Sequence, residues 1–297
     1  MSNTGSVAPG GDDPEPPAAG SSQRETGCGP SPDADRVWRR PNMRVSWIKA
    51  IPRGNGEPLL IGHHFSKTGG TSLIRHAQNM LGLRGFYTFG QDTNDQRLRN
   101  GQPLLMDLPR PRIDDIKILT GHGLIQQAIN RFIGRDARLF TIIRDPFDRF
   151  ASVYKHRLRT MPQEQWPTPE ELFEQQRANP WSHELRRRFC KPESGPLPTG
   201  ANGPDAQLVK ALGRFDMILT TEHLDDQNEH LFAHIGLPGT RERARVYPET
   251  PDLGSVTREM VYERDGVDLA IHRRATRAWL ANRSVNPYRL HATVEAG

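Results

Sequence analysis

The sequence has 297 residues, of which 35% are hydrophobic and 25% are charged, and a chain of this length can bury a substantial core. The formal net charge is +5 and the 40 basic residues are nearly all arginine, but no lysine-rich run, zinc-ligand spacing or aromatic-interleaved basic stretch indicates a nucleic-acid-binding module. Two cysteines exclude a disulfide framework, and without a signal-peptide pattern or an apolar run of about eighteen residues we expect a cytoplasmic protein with no membrane span.

The first part of the chain differs in composition from the rest. Residues 1–40 are mainly Gly, Pro, Ser, Asp and Glu, and such a segment buries too little apolar surface to offset the entropy of ordering. We therefore predict a disordered tail at 1–40 and a single domain at 41–297. Residues 43–52 favour a short leading strand before that domain's first loop.

A strand, a glycine loop and a helix are predicted in immediate succession. Residues 58–65 form a short apolar run typical of a buried strand, and residues 71–81 carry apolar side chains at helical spacing. Between them lie Lys67, Gly69 and Gly70. A strand that turns through glycines into a helix presents free backbone N–H groups at the positive end of the helix dipole, so the sequence predicts an anion site here.

A histidine follows the next predicted strand. Residues 83–112 are predicted to be irregular, and residues 116–120 then form a strand that runs into Gly121, His122 and Gly123. Open α/β sheets bind their ligands beyond the carboxyl ends of the strands. His122 is therefore a candidate general base, since imidazole exchanges protons near neutral pH.

A third strand end carries an arginine. Residues 138–143 are almost continuously apolar and lead into Arg144, and Pro146 suits the first turn of a following helix. The aromatic and aliphatic side chains of that helix repeat at core spacing, and Ser152 lies outside this stripe. Asp145 is interpreted as part of a charge network at the helix start.

The remaining predicted elements are an insertion, a strand and two helices. Residues 157–205 are rich in Pro, Arg, Gln and Trp and are predicted to form a helical and loop lid over the acceptor. Residues 215–220 favour a strand that is followed by Glu222 and His223. These two residues are candidates for contacting the acceptor, but we interpret them as orienting other residues. A helix closes at Gly236, and a last helix is predicted at 265–281.

Two of these motifs together resemble the sulfotransferases that use 3′-phosphoadenosine 5′-phosphosulfate. The loop of Lys67-Thr-Gly-Gly-Thr-Ser72 is similar to their 5′-phosphosulfate loop, and the segment from Arg144 through Ser152 to Tyr154 is similar to their 3′-phosphate element. The resemblance covers about 58–280 and is nearest to the glycan branch (heparan and chondroitin type) and its soluble bacterial relatives. The sequence departs from the family at Ser66, where proline is usual.

The resemblance implies a fold, a reaction and a set of site residues. The implied fold is a P-loop-like, three-layer α/β fold with a mostly parallel central sheet flanked by helices. The implied reaction is transfer of a sulfuryl group to a hydroxyl of a carbohydrate or secondary metabolite, with His122 as base, Lys67 on the leaving oxygen and no metal. Arg144 and Ser152 would hold the 3′-phosphate. The implied 5′-phosphate contacts belong to one loop: Lys67, Thr68, Gly69, Gly70, Thr71 and Ser72.

Two other functions are compatible with the sequence. A P-loop kinase or NTPase could use Lys67 and Thr68 for phosphates and Asp145 for magnesium, although the spacing is one residue short of a Walker A loop. A non-catalytic nucleotide-binding module on the same fold would bind the nucleotide without transferring a group. The residues identify neither the acceptor nor the oligomeric state.

Overall fold

The computed structural model describes residues 48–122, 124–191, 195, 197, 203–239 and 251–289, so the predicted tail at 1–40 lies outside the described residues. The described residues contain an all-parallel sheet in the order β2-β3-β1-β4-β5. Its strands are β1 (Gly56–His64), β2 (Phe86–Phe89), β3 (Ile118–Gly121), β4 (Arg135–Ile143) and β5 (Met217–Thr220). The predicted α/β class with a parallel central sheet is confirmed.

Helices cover both faces of the sheet. They are α1 (Gly70–Gly85), α2 (Gln91–Arg99), α3 (Arg110–Asp115), α4 (Gln126–Asn130), α5 (Pro146–Thr160), α6 (Pro169–Gln175), α7 (Pro180–Phe189), α8 (Ala206–Gly213), α9 (Leu224–Ala233), α10 (Arg258–Arg264) and α11 (Gly266–Asn282). Short 3-10 helices occupy Leu105–Asp107, Gln163–Gln165 and Thr221–His223. Among the described helices, none has the length and apolar character needed to cross a membrane.

The alternation of side chains along β1 divides the core into two layers. Leu59 and Ile61 join a large cluster with side chains of α7, α8 and α11, whereas Leu60 joins a second cluster with side chains of α1 and α9. Successive residues of a strand point to opposite faces, and a parallel strand covered on both faces is apolar throughout. The central strands therefore contribute side chains to both layers.

The register of the parallel strands brings the functional segments to one edge. His63 of β1 is paired with Gly121 of β3, and His64 is paired with Ile142 of β4. Because these strands run in the same direction, the residues after them emerge side by side. The glycine loop, His122 and Arg144 thus follow three adjacent strands.

The prediction that residues 83–112 are irregular is wrong. Phe86 and Tyr87 belong to the edge strand β2 and are buried, and α2 and α3 follow it. A strand of four residues is too short for an alternating pattern to be distinguished from a packed loop. The described part of the predicted leading strand, residues 48–52, forms no strand. Met80 is predicted to lie on the apolar face of the helix at 71–81, but it is 46% exposed.

The predicted lid contains a helix that is part of the main core. Trp181, Leu185 and Phe189 of α7 belong to the larger apolar cluster. The start of α7 is fixed by Asp268, which accepts hydrogen bonds from the backbone N–H groups of Trp181 (3.2 Å) and Ser182 (3.0 Å). An acceptor lid within 157–205 stays a prediction, and α7 would form its fixed base.

Candidate functional site

The glycine loop has a left-handed backbone at two positions. Lys67 has a φ of 68° and Gly69 has a φ of 81°. Glycine adopts this conformation at no steric cost, but a side chain there costs roughly 1–2 kcal/mol. Strained residues of this kind are retained where surrounding structure fixes them, and they cluster at functional sites. The loop therefore holds its lysine in one constrained backbone geometry.

The hydroxyl-bearing residues of the loop differ in exposure. Thr68 is fully buried, and its Oγ1 donates a hydrogen bond to the carbonyl of Phe65 at 3.0 Å. Thr71 is exposed and Ser72 is partly exposed in the first turn of α1. The predicted phosphate contact of Thr68 is thus reduced to its backbone N–H, because its hydroxyl is used inside the loop.

Arg144 lies just beyond the carboxyl end of β4. Its side chain is partly exposed, and among the described residues it makes no hydrogen bond or ion pair. The charge of Arg144 acts on Asp148. Burial and the charge of Asp145 raise the pKa of Asp148, and the charge of Arg144 partly offsets this rise. The described residues therefore leave the guanidinium donors of Arg144 unused, since none of them hydrogen-bonds to this side chain.

A threonine connects Arg144's strand to the glycine loop. The Oγ1 of Thr221, at the end of β5, lies 3.0 Å from the carbonyl oxygen of Thr68 and 3.1 Å from that of Ile143. One hydroxyl therefore contacts both the loop after β1 and the residue before Arg144. The two predicted anion-binding segments lie on the same edge of the sheet and close to each other.

Asp145 belongs to a network of side chains from four segments. Its carboxylate accepts hydrogen bonds from the N–H groups of Phe147 (2.9 Å) and Asp148 (3.2 Å) at the start of α5, and from the hydroxyl of Tyr262 (2.6 Å) in α10. Arg258 lies 3.6 Å away. The predicted role of Asp145 at the helix start agrees with these contacts.

Glu222 joins this network from the end of β5. Its Oε1 accepts the backbone N–H of Asp145 at 3.0 Å, and its Oε2 lies 2.9 Å from the Nε2 of His272 in α11. Burial would raise the pKa of Glu222, but the hydrogen bond and charge of His272 and the N–H of Asp145 lower it. Glu222 therefore orients the segment between β4 and α5, as the sequence indicated.

An open cleft lies beside Asp145 on the side of α11. Its volume is about 230 Å³, and its lining residues are Asp145, His272, Arg273, Thr276 and Arg277. Arg273 stacks over the ring of Tyr262 at 5.4 Å. Sequence reasoning did not identify Tyr262, His272 or this cleft, because helical periodicity alone does not show which polar face of α11 meets the strand ends.

His122 follows β3 and is exposed, and its ring is stacked on that of His64. The ring centroids lie 4.3 Å apart with an interplanar angle of 28°. His64 is partly buried, and burial together with the neighbouring charges of His122, His63 and Lys67 lowers its pKa to about 3. His64 is uncharged at neutral pH. The sequence predicts His64 only as part of the strand at 58–65.

The preceding residue, His63, faces the opposite side of the sheet. It is 1% exposed, its ring makes edge contacts with Phe65 (4.7 Å) and Phe189 (5.3 Å), and its two nitrogens have no hydrogen-bond partner among the described residues. Burial lowers its pKa to about 3. His63 is therefore a neutral core residue, and only His64 faces the site.

A comparison with known protein families finds a match in the part of the chain that contains the predicted site residues. A family model described as "Sulfotransferase family" matches residues 56–186, a segment that contains the glycine loop, His122, Arg144 and Ser152. This match supports a sulfotransferase family for that part of the chain. No curated protein matches the sequence.

Proposed function

We propose that the protein transfers a sulfuryl group from 3′-phosphoadenosine 5′-phosphosulfate to a hydroxyl of a carbohydrate or a secondary metabolite. The family match supports sulfuryl transfer in general. The observation that carries the specific proposal is the contact of Thr221 with both Thr68 and Ile143, because it holds the two segments proposed to bind anions at one edge of the sheet. A nucleotide with anionic groups at both ends would use both segments.

The glycine loop would bind the 5′ end of the donor. The backbone N–H groups from Lys67 to Ser72 and the hydroxyls of Thr71 and Ser72 lie at the positive end of α1, where a phosphate is favoured. The missing side chains at Gly69 and Gly70 leave room for Thr221 and His64, whose atoms lie within 3.1 Å of where a Cβ atom would stand. The strained backbone of Lys67 would keep its ammonium group near the leaving oxygen.

Arg144 and Ser152 would bind the 3′-phosphate. Arg144 has no competing partner among the described residues, and Ser152 lies on α5 beside the buried stripe of Phe150, Ala151 and Tyr154. A guanidinium group binds phosphate through two parallel hydrogen bonds. These contacts would make the protein reject nucleotides without a 3′-phosphate. The open cleft beside Asp145 would give room for the part of the nucleotide that extends beyond the glycine loop.

His122 would accept the proton of the acceptor hydroxyl. The donor supplies a sulfuryl group whose bond to the 5′-phosphate oxygen breaks as the acceptor oxygen bonds to sulfur. The proton passes to the imidazole of His122, and Lys67 stabilises the negative charge on the departing oxygen. Positioning and charge stabilisation would supply most of the rate, as in phosphoryl transfer.

The kinase or NTPase alternative is disfavoured by Asp145. Its carboxylate already accepts three hydrogen bonds and lies near Arg258, so it has little capacity left for magnesium. The non-catalytic alternative is disfavoured by the exposed imidazole of His122, which stacks on His64 next to the glycine loop. A non-catalytic module would bind the nucleotide without transferring a group to any hydroxyl.

An acceptor screen with radiolabelled donor tests the proposal. Full-length protein is incubated with labelled 3′-phosphoadenosine 5′-phosphosulfate and pools of sugars, glycans and hydroxylated metabolites, and in parallel with labelled ATP and magnesium. We expect label transfer from the sulfate donor without added metal and none from ATP. Transfer from ATP alone would establish the kinase alternative, and nucleotide binding without any transfer would establish the binding module.

A further inference from the structure

We propose that His64 is a positioning residue that holds the imidazole of His122 against the glycine loop. The observation is the 4.3 Å stack of the two rings at the carboxyl ends of β1 and β3. This inference rests on the proposed function for its catalytic meaning, but the stacked pair itself is independent of the reaction.

The register of the sheet produces the stack. His63 and Gly121 are paired across β1 and β3, so His64 and His122 are the next residues along two parallel strands. Neighbouring positions on parallel strands lie about 4.8 Å apart and point to the same face. Two flat rings at such positions meet face to face, and each limits the rotation of the other.

The glycine loop also contacts His64. A Cβ added at Gly70 would overlap the imidazole of His64, so the ring occupies the space that any larger residue at position 70 would need. Gly70 is the first residue of α1 and belongs to the loop proposed for the 5′-phosphate. His64 therefore touches both the donor-binding loop and the proposed base, and links the position of one to the other.

The charge state of His64 suits this role. Its ring is neutral at neutral pH, whereas His122 would become cationic when it accepts the proton of the acceptor. A neutral aromatic ring is a favourable neighbour for a cation, and a second imidazolium would repel it. The proton would thus stay on His122, and His64 would support the base without exchanging protons itself.

Variants that keep or remove the flat ring test the inference. With the acceptor found in the screen, we expect His64→Ala to lower kcat about 10²-fold, the loss typical of a catalytic group misplaced by about 1 Å. His64→Phe retains a stacking ring and should recover most of that rate. Both should bind 3′,5′-adenosine bisphosphate as the wild type does. If His64→Phe does not fold, judged by its thermal unfolding, His64→Asn gives the same comparison with a smaller planar group.

Two kinetic outcomes would overturn the inference. A His64→Ala protein with the wild-type rate would show that the stack does not position the base. A folded His64→Phe protein as slow as His64→Ala would show that the ring nitrogens are needed, which makes His64 a proton carrier.

A spectroscopic measurement separates this inference from the proposed function. In full-length protein labelled at histidine, the ring resonances of His122 should shift in His64→Ala, because the ring current of the stacked neighbour is lost. The control His230→Ala removes an exposed histidine from its edge contact with Trp279, 5.4 Å away, and should leave them unchanged. No shift would refute the stacked pair even if transfer occurs. A shift without transfer to any hydroxyl would support the pair and refute the proposed function.

Discussion

The two sides of the candidate site are built differently. The loop side, which consists of residues 64–72 and His122, is formed by backbone geometry and one pair of stacked rings. The network side, which consists of Arg144, Asp145, Glu222, Tyr262 and His272, is formed by side chains from four separate segments. Local sequence can therefore specify a glycine loop at a helix start, whereas the surroundings of Arg144 depend on the complete fold.

We expect the two sides to differ in their contributions to the rate and to the nucleotide affinity. Under the proposed function, Lys67 and His122 on the loop side would act on the reacting atoms. Arg144 on the network side would hold the 3′-phosphate, and the residues around it fix the segment from which it projects. Changes at Lys67 and His122 should therefore mainly lower the rate, and changes on the network side should mainly lower the nucleotide affinity.

The largest effect is expected for His122→Ala. Removal of the base should lower kcat by about 10² to 10⁴-fold while the affinity for 3′,5′-adenosine bisphosphate is retained, because the nucleotide contacts lie elsewhere. Steady-state kinetics and calorimetry measure the two quantities. His230→Ala is the matched control, since it removes an exposed histidine on α9. An unchanged kcat in His122→Ala would show that the base has been assigned to the wrong residue.

A second prediction concerns the acid sensitivity that the buried His63 confers. The pKa of His63 in the folded protein is about 3, below its usual 6.5, so the unfolded chain binds the extra proton first as the pH falls. The stability supplied by neutral His63 is present above pH 6.5 and is lost progressively down to about pH 3. Between pH 7 and pH 4 the loss should be about 3 kcal/mol.

The variant His63→Phe should reduce this acid-induced loss. Denaturant unfolding at pH 7 and pH 4 measures the change in the free energy of unfolding for each protein. His230→Phe, at an exposed position, should keep the wild-type difference. An equal loss in wild type and His63→Phe would mean that other groups cause the acid sensitivity.

A smaller effect is expected for Tyr262→Phe on the network side. The change removes the 2.6 Å hydrogen bond to Asp145 and the 2.8 Å contact with Arg258 but keeps the ring. We expect about 1 kcal/mol lower stability and a few-fold weaker binding of 3′,5′-adenosine bisphosphate, with kcat little changed. If kcat falls more than the affinity, the network side takes part in the chemistry and the expected difference between the two sides is wrong.

Much of the fold and the loop could be predicted from the sequence. The apolar runs of β1 and β4 and the helical spacing of α5 and α11 are local patterns, and each lies within a few residues of its prediction. The lysine and glycines of the loop act through backbone conformation, which neighbouring residues determine. Strand β2 was missed because four residues give too little periodicity.

The partners of the site residues could not be predicted. Tyr262 and Asp145 are 117 residues apart, and Thr221 is 153 residues from Thr68. The stack of His64 on His122 depends on the register between β1 and β3, which the sequence alone does not define. These contacts follow from strand order, and a hydrophobic pattern contains little information about strand order.

Binding of one nucleotide by both segments is tested by the affinity for 3′,5′-adenosine bisphosphate relative to 5′-AMP, measured by calorimetry for the wild type and Arg144→Ala. Charge-assisted hydrogen bonds of about 1.5–3 kcal/mol predict that the wild type prefers the bisphosphate roughly 10- to 100-fold. Arg144→Ala should lose this preference and keep its affinity for 5′-AMP. Equal wild-type affinities for the two nucleotides would contradict the account, since the two anion-binding segments would then not hold one nucleotide.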